Sequence, residues 1–94
     1  MGATTRNTVE YPIHLWIAEN VTNRRQALGM TQQELADKIP TSRPYVAHLE
    51  AGRVNATVEI LWRVARALAT EPAALIEKPE KANVRFLGGD KIET

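Results

Sequence analysis

The sequence predicts an all-α fold, compact and built from five short helices. Three observations carry that expectation. Apolar residues recur at helical spacing, first at Ile13, Ile17, Val21 and Leu28. A residue able to cap a helix N-terminus opens the four later segments: Thr31, Ser42, Thr57 and Thr70. The 94 residues, 44% of them apolar, suffice for one packed domain and no more.

Each element follows from local signals. Pro12 suits the first turn of a helix that runs to Leu28 and closes on Gly29. Thr31 and Glu34 have the spacing of a capping box, and Leu35, Ala36 and Ile39 make the buried face of the short helix behind it. Pro40 ends that helix, because it disfavours the helical conformation at Ile39. Ser42 caps a third helix over Arg43–Glu50, with Pro44 tolerated in its first turn, Val46 and Leu49 turned inward, and Ala51-Gly52 at its end. Thr57 caps a fourth, with Glu59 favourably placed near the positive end of the helix dipole. Val58, Leu61, Ala65 and Leu68 form its core stripe, with Trp62 at the edge. A fifth runs from its cap at Thr70 to Ile76, where Leu75 and Ile76 close the core. Residues 1–11 read as an N-terminal arm, 12–77 as the folded domain and 78–94 as a tail. Within the tail, Val84–Leu87 has the composition of a strand that pairs with its copy in a second subunit, or of a frayed end.

Composition excludes several classes. With no cysteine there is no disulfide scaffold, no thiolate zinc site and no thiol nucleophile. No apolar run approaches the length of a membrane span, and the N-terminus has neither a secretory pattern nor a myristoylation motif, since Arg6 takes the Ser/Thr position. A cytoplasmic, nucleoid-associated protein is expected, without a membrane partner. His14 and His48 are not at metal-ligand spacing, and Gly88-Gly89-Asp90-Lys91 lacks the context of a phosphate loop, so neither an enzyme, a metal nor a cofactor is expected. Net charge is only +1, but residues 24–53 hold Arg24, Arg25, Lys38, Arg43 and Arg53 against Glu34, Asp37 and Glu50, a local basic excess.

Two short helices joined by three or four residues inside a five-helix domain make a helix-turn-helix. Ala36 must be small, because the two helices cross there. The third helix then offers Arg43, Pro44, Tyr45, Ala47 and His48 outward, the face that a recognition helix turns to the major groove.

At this point the chain resembles a known family. Leu28-Gly-Met-Thr-Gln-Gln-Glu-Leu-Ala36, then Ser42-Arg-x-x-Val46-x-x-x-Glu50-x-Gly52, then Leu61-x-x-Val-Ala-x-Ala-Leu68 is similar to the phage repressor/Cro family, also called the xenobiotic-response-element family. The resemblance spans residues 21–76 without gaps. It implies a homodimer on the double-stranded DNA of a palindromic operator. It also implies that Gln32 braces a phosphate and the recognition helix, that Arg43 reads a base, that His48 is a later contact, and that Arg53 holds a phosphate. Arg25 and Glu50 match a structural ion pair tying helix one to the end of helix three. Three positions depart from the pattern: Pro40 stands where a glycine with positive φ is usual, Ala56 where proline is frequent, and Thr70 where a helix-ending glycine is common. Proline cannot take that angle, so the turn before helix three must have another shape.

The DNA-binding set is therefore Thr31, Gln32, Ser42, Arg43, Pro44, Tyr45, His48 and Arg53. Arg43 suits guanine, to which it can donate two hydrogen bonds. The residues leave His48 open between base, phosphate and solvent, and Tyr45 between a phosphate and the scaffold. Pro44 either meets a thymine methyl or only starts a helix. Leu15 and Trp16 read equally as core and as dimer surface. The leading function is a sequence-specific, dimeric transcriptional regulator, either a phage-type repressor or a restriction–modification controller, with no separate ligand domain. The alternative is an antitoxin that autoregulates its promoter and binds a toxin protein through its flanks. A non-DNA interaction module on the same scaffold is disfavoured by the outward Gln32 and Arg43.

Overall fold

Side-chain caps set where the middle helices begin. In the computed structural model, which describes residues 12–79, the elements are α1 (Ile13–Ala27), α2 (Gln32–Lys38), α3 (Arg43–Glu50), α4 (Val58–Ala67) and α5 (Pro72–Leu75). Thr31 Oγ1 accepts from the Glu34 amide while Glu34 Oε1 accepts from the Thr31 amide, a complete capping box. Ser42 and Thr57 cap α3 and α4 by accepting from the amides of Tyr45 and Ile60. The all-α expectation holds, and no strand occurs among the described residues. The arm 1–11, the strand-like Val84–Leu87 and all but the first two residues of the tail lie outside them.

The core takes one side of every helix. Ile17, Ala18 and Val21 of α1 meet Leu35 and Ala36 of α2, Ile39 just after it, Val46 and Leu49 of α3, Val64 and Ala65 of α4, Leu68, and Leu75 of α5. α1 packs on α3 and α5, α2 on α3 and α4, and α4 on α5. Four expected core residues prove exposed: Ile13, Leu28, Val58 and Ile76. α1 is the longest helix, and Ile13 and Leu28 lie at its two ends, away from its buried residues Ile17, Ala18 and Val21. Val58 is the first residue of α4 and is 83% exposed; the buried face is centred on Val64, Ala65 and Leu68. Val64 was missing from the stripe expected from sequence because that stripe followed a single row of the helix surface, whereas a packed face spans two. Trp62 is 52% exposed, and Arg66 lies over its ring at 5.1 Å from the centroid.

Three helices end in the same hydrogen-bonded loop. After α1 the Gly29 amide donates to Gln26 O and the Met30 amide to Arg25 O; after α3 Gly52 donates to Leu49 O and Arg53 to His48 O. Both glycines have the positive φ this loop needs. At Gly52 a Cβ would also come within 2.6 Å of Leu15 Cδ2, so Leu15 lies over the end of α3. α4 closes in the same way, with Ala69 donating to Arg66 O and Thr70 to Ala65 O, but the left-handed residue is Ala69 at φ 55°. This corrects the expectation for Thr70. Its amide donates back to the end of α4, and α5 starts later, at Pro72, with Glu71 at its N-cap position and no side-chain cap. At the end of α2, Pro40 has no amide to donate, and only the outer bond survives, from Thr41 N to Ala36 O at 2.7 Å.

Ala69 holds a conformation that costs an L-residue about 1–2 kcal/mol, and its side chain is exposed, so no packing depends on it. Ala69→Gly relieves that strain against a smaller gain in unfolded-chain entropy. The substitution raises the melting temperature by roughly 2–6 °C in thermal unfolding. A lower melting temperature would show that Ala69 is not strained.

Candidate nucleic-acid interface

A buried ion pair stands behind the helix-turn-helix. Arg25 Nε donates to Glu50 Oε2 at 2.5 Å and Nη2 to Oε1 at 2.9 Å, a two-pronged contact between α1 and the last residue of α3. The side chains are 11% and 6% exposed. Arg25 Nη1 also donates to Met30 O at 2.7 Å, which fixes the start of the segment leading into α2. The hydrogen bond to Glu50 raises the Arg25 pKa above its ordinary value; burial works in the opposite direction and the Glu50 charge adds to the rise. A raised arginine stays charged at every pH where proteins fold, so titration of Arg25 itself would break the contact only at extreme alkalinity.

From this pair a chain of hydrogen bonds runs to the surface. Gln32, the first residue of α2, donates from Nε2 to Glu50 Oε1 at 3.0 Å. Its Oε1 accepts from Arg43 Nη1 at 3.2 Å. Arg43 is the first residue of α3 and is exposed. Four residues from three helices thus form one linked series, Arg25–Glu50–Gln32–Arg43. Sequence reading placed all four but missed the Gln32–Glu50 bond, because nothing local marks a contact between positions 18 residues apart.

The other expected contact residues fall around this series. Thr31 and Ser42 are exposed at the N-termini of α2 and α3, their oxygens accepting from the capped amides while each hydroxyl proton remains to be donated. Pro44 and His48 are exposed and four residues apart, on one face of α3. Tyr45 is half-buried and packs its ring against the core cluster. Arg53 is exposed just beyond Gly52. Leu15 is exposed and Trp16 half-buried. Two scaffold residues were not foreseen: Arg24 donates from Nε and Nη2 to Leu68 O and Ala69 O, and Asn20 donates to Leu75 O and Glu77 O. Each ties a helix end to α1 from far away in the chain.

A helix-turn-helix family model matches residues 22–75, more than half of the chain. The chain belongs to the helix-turn-helix family. An uncharacterised HTH-type transcriptional regulator of Methanothermobacter thermautotrophicus is 37% identical to this helix-turn-helix protein over 51 residues, covering 54% of this chain and 74% of the relative. Among solved structures, the restriction-modification controller protein C.AhdI of Aeromonas hydrophila matches with a TM-score of 0.64 at 29% identity, over 66% of this chain and 94% of the controller. Hydroxypropylphosphonic acid epoxidase of S. wedmorenis matches with a TM-score of 0.67 at 28% identity, over 71% of this chain but only 36% of the enzyme. The shared region is therefore a module that also occurs as a minor part of a larger protein. This helix-turn-helix protein is a DNA-binding transcriptional regulator.

The buried pair generates a stability test. Glu50→Gln leaves the Arg25 charge buried without its counterion, at a cost of roughly 3–5 kcal/mol. The double variant Arg25→Met with Glu50→Gln buries no charge and recovers most of that loss. Chemical denaturation of both variants checks this; if the double variant is no more stable than Glu50→Gln, the two residues do not act as a pair.

Proposed function

We propose that the protein binds a palindromic operator as a two-fold homodimer, with α3 of each copy in the major groove. The single observation that supports this reading is the exposed Arg43 at the start of α3, held by Gln32 of α2. A guanidinium there has donors to spare for a guanine edge after serving Gln32. In this reading Gln32, Thr31, Ser42, Tyr45 and Arg53 meet phosphates and fix the register, while Pro44 and His48 lie along the groove. The likeness to a restriction–modification controller over nearly the whole of that protein favours a controller or repressor role within the regulator class. The protein then works beside the chromosome, in the cytoplasm, and has no reaction of its own.

Two measurements test the reading. Footprinting on the DNA upstream of the protein's own gene finds half-sites about 10 base pairs apart, or somewhat more, centre to centre. With few cations available, affinity falls only gently with salt, as for about 4–8 neutralised phosphates per dimer. A footprint without two-fold symmetry overturns the dimer reading.

Arg43→Ala and Arg53→Ala separate reading from holding. Arg43→Ala loses about 1–3 kcal/mol of discrimination at one base pair of each half-site. Arg53→Ala weakens binding to all sequences nearly alike, because a phosphate carries no base information. Competition across single-base operator variants distinguishes them, and unaltered preference in Arg43→Ala removes Arg43 from base reading.

A further inference from the structure

Glu50 is buried at the far end of α3 from Arg43, yet a single side chain lies between them. The chemistry of that intermediate, Gln32, admits one arrangement only. An ionised carboxylate accepts hydrogen bonds and cannot donate; a guanidinium donates and cannot accept. The Gln32 amide must therefore turn its NH2 to Glu50 and its oxygen to Arg43, as observed at 3.0 Å and 3.2 Å. Turned over, it would set oxygen against carboxylate and NH2 against guanidinium.

We propose that Glu50 is a positioning residue for base recognition: its carboxylate fixes the orientation of the Gln32 amide, whose oxygen holds the Arg43 guanidinium in place before DNA arrives. The inference rests on the reading of Arg43 as a base-contacting residue. Arg43 is a long, exposed side chain, and ordering it on binding has an entropic cost that a preformed hydrogen bond reduces. Glutamine at position 50 removes the constraint. It carries a donor as well as an acceptor. With or without Arg25 beside it, its NH2 can donate to a Gln32 amide that has turned over as readily as its oxygen can accept from one that has not. The turned-over amide presents NH2 to Arg43, and the tether is lost.

The test must separate positioning from the structural role of the ion pair. Six proteins are compared: the parent, Arg43→Ala, Gln32→Met, Glu50→Gln, Arg25→Met with Glu50→Gln, and that double variant with Gln32→Met added. The probe is the duplex that the parent selects from a random-sequence pool, with its single-base variants. All are measured at a temperature where each is folded by circular dichroism, and the double variant supplies a well-folded protein should Glu50→Gln unfold. Arg43→Ala abolishes discrimination at one base pair of each half-site. Gln32→Met and the double variant each lower discrimination at that same base pair about three- to tenfold. In the double variant stability returns but discrimination does not. Adding Gln32→Met to the double variant gives no further loss, since both break the same series. If the double variant recovers discrimination together with stability, Glu50 is only structural and the inference fails. If Arg43→Ala itself leaves base preference unchanged, the reading of Arg43 fails and takes the inference with it. Side-chain amide NMR of Gln32 gives a readout without DNA: the Nε2 resonances shift in the double variant, and unchanged resonances count against the constraint.

Discussion

The buried contact between Arg25 and Glu50 is the constraint on which the rest of the binding face depends. Two charges at such low exposure are tolerated because each is satisfied, Arg25 by both carboxylate oxygens and by Met30 O, and Glu50 by Arg25 and Gln32. A buried pair of this kind adds little net stability compared with apolar residues of the same shape, yet it is directional and intolerant of misplacement. It joins α1, the chain entering α2 and the end of α3 at one point. The two helices of the motif are thereby set relative to α1 by hydrogen-bond geometry as well as by packing.

α1 acts as the frame for the other helices. Arg24, Arg25 and Asn20, in its last two turns, donate to carbonyls at the end of α4, after α1 itself, and around the end of α5. Helix C-termini carry unpaired carbonyls and partial negative charge, so a guanidinium there answers both needs and an amide the first. α5 is a single turn with no side-chain cap and cannot hold its shape alone. Leu75 in the core and Asn20 on its last carbonyls keep it in place.

The turn between α2 and α3 shows how the fold absorbs an unusual residue. Proline at position 40 deletes one of the two bonds that end α1, α3 and α4, yet the Thr41 amide still reaches Ala36 O. Ile39 is buried with backbone angles of φ −99° and ψ 17°, outside the helical region but not extended. The chain therefore turns within four residues and Ser42 is delivered to cap α3. Arg43, next along, is then within reach of Gln32.

Local chemistry alone determined much of this protein. The capping box at Thr31, the caps at Ser42 and Thr57, the left-handed glycines at 29 and 52, and the apolar faces of α2 and α3 depend on residues within a few positions of one another. Their signals could be read directly from the sequence. So could the exposure of Arg43, Pro44 and His48 on α3, because helical spacing decides which side chains share a face; Tyr45 and Ala47, expected outward with them, are half-buried. The tertiary structure decided what happens where distant segments meet. Val58 carries the right residue type for a core position, but it lies on the solvent side of the first turn, where Ile60 and Leu61 take the contacts with the core instead. Thr70 looks like a cap, but it belongs to the loop that ends α4, and the next helix begins two residues later behind Glu71. Arg24 and Asn20 find their acceptors more than forty residues away. The direction of the Gln32 amide is the clearest case, since no property of glutamine or its neighbours favours either orientation. Only the acceptor at position 50 and the donor at position 43, brought to opposite sides of it by the packing of three helices, select one.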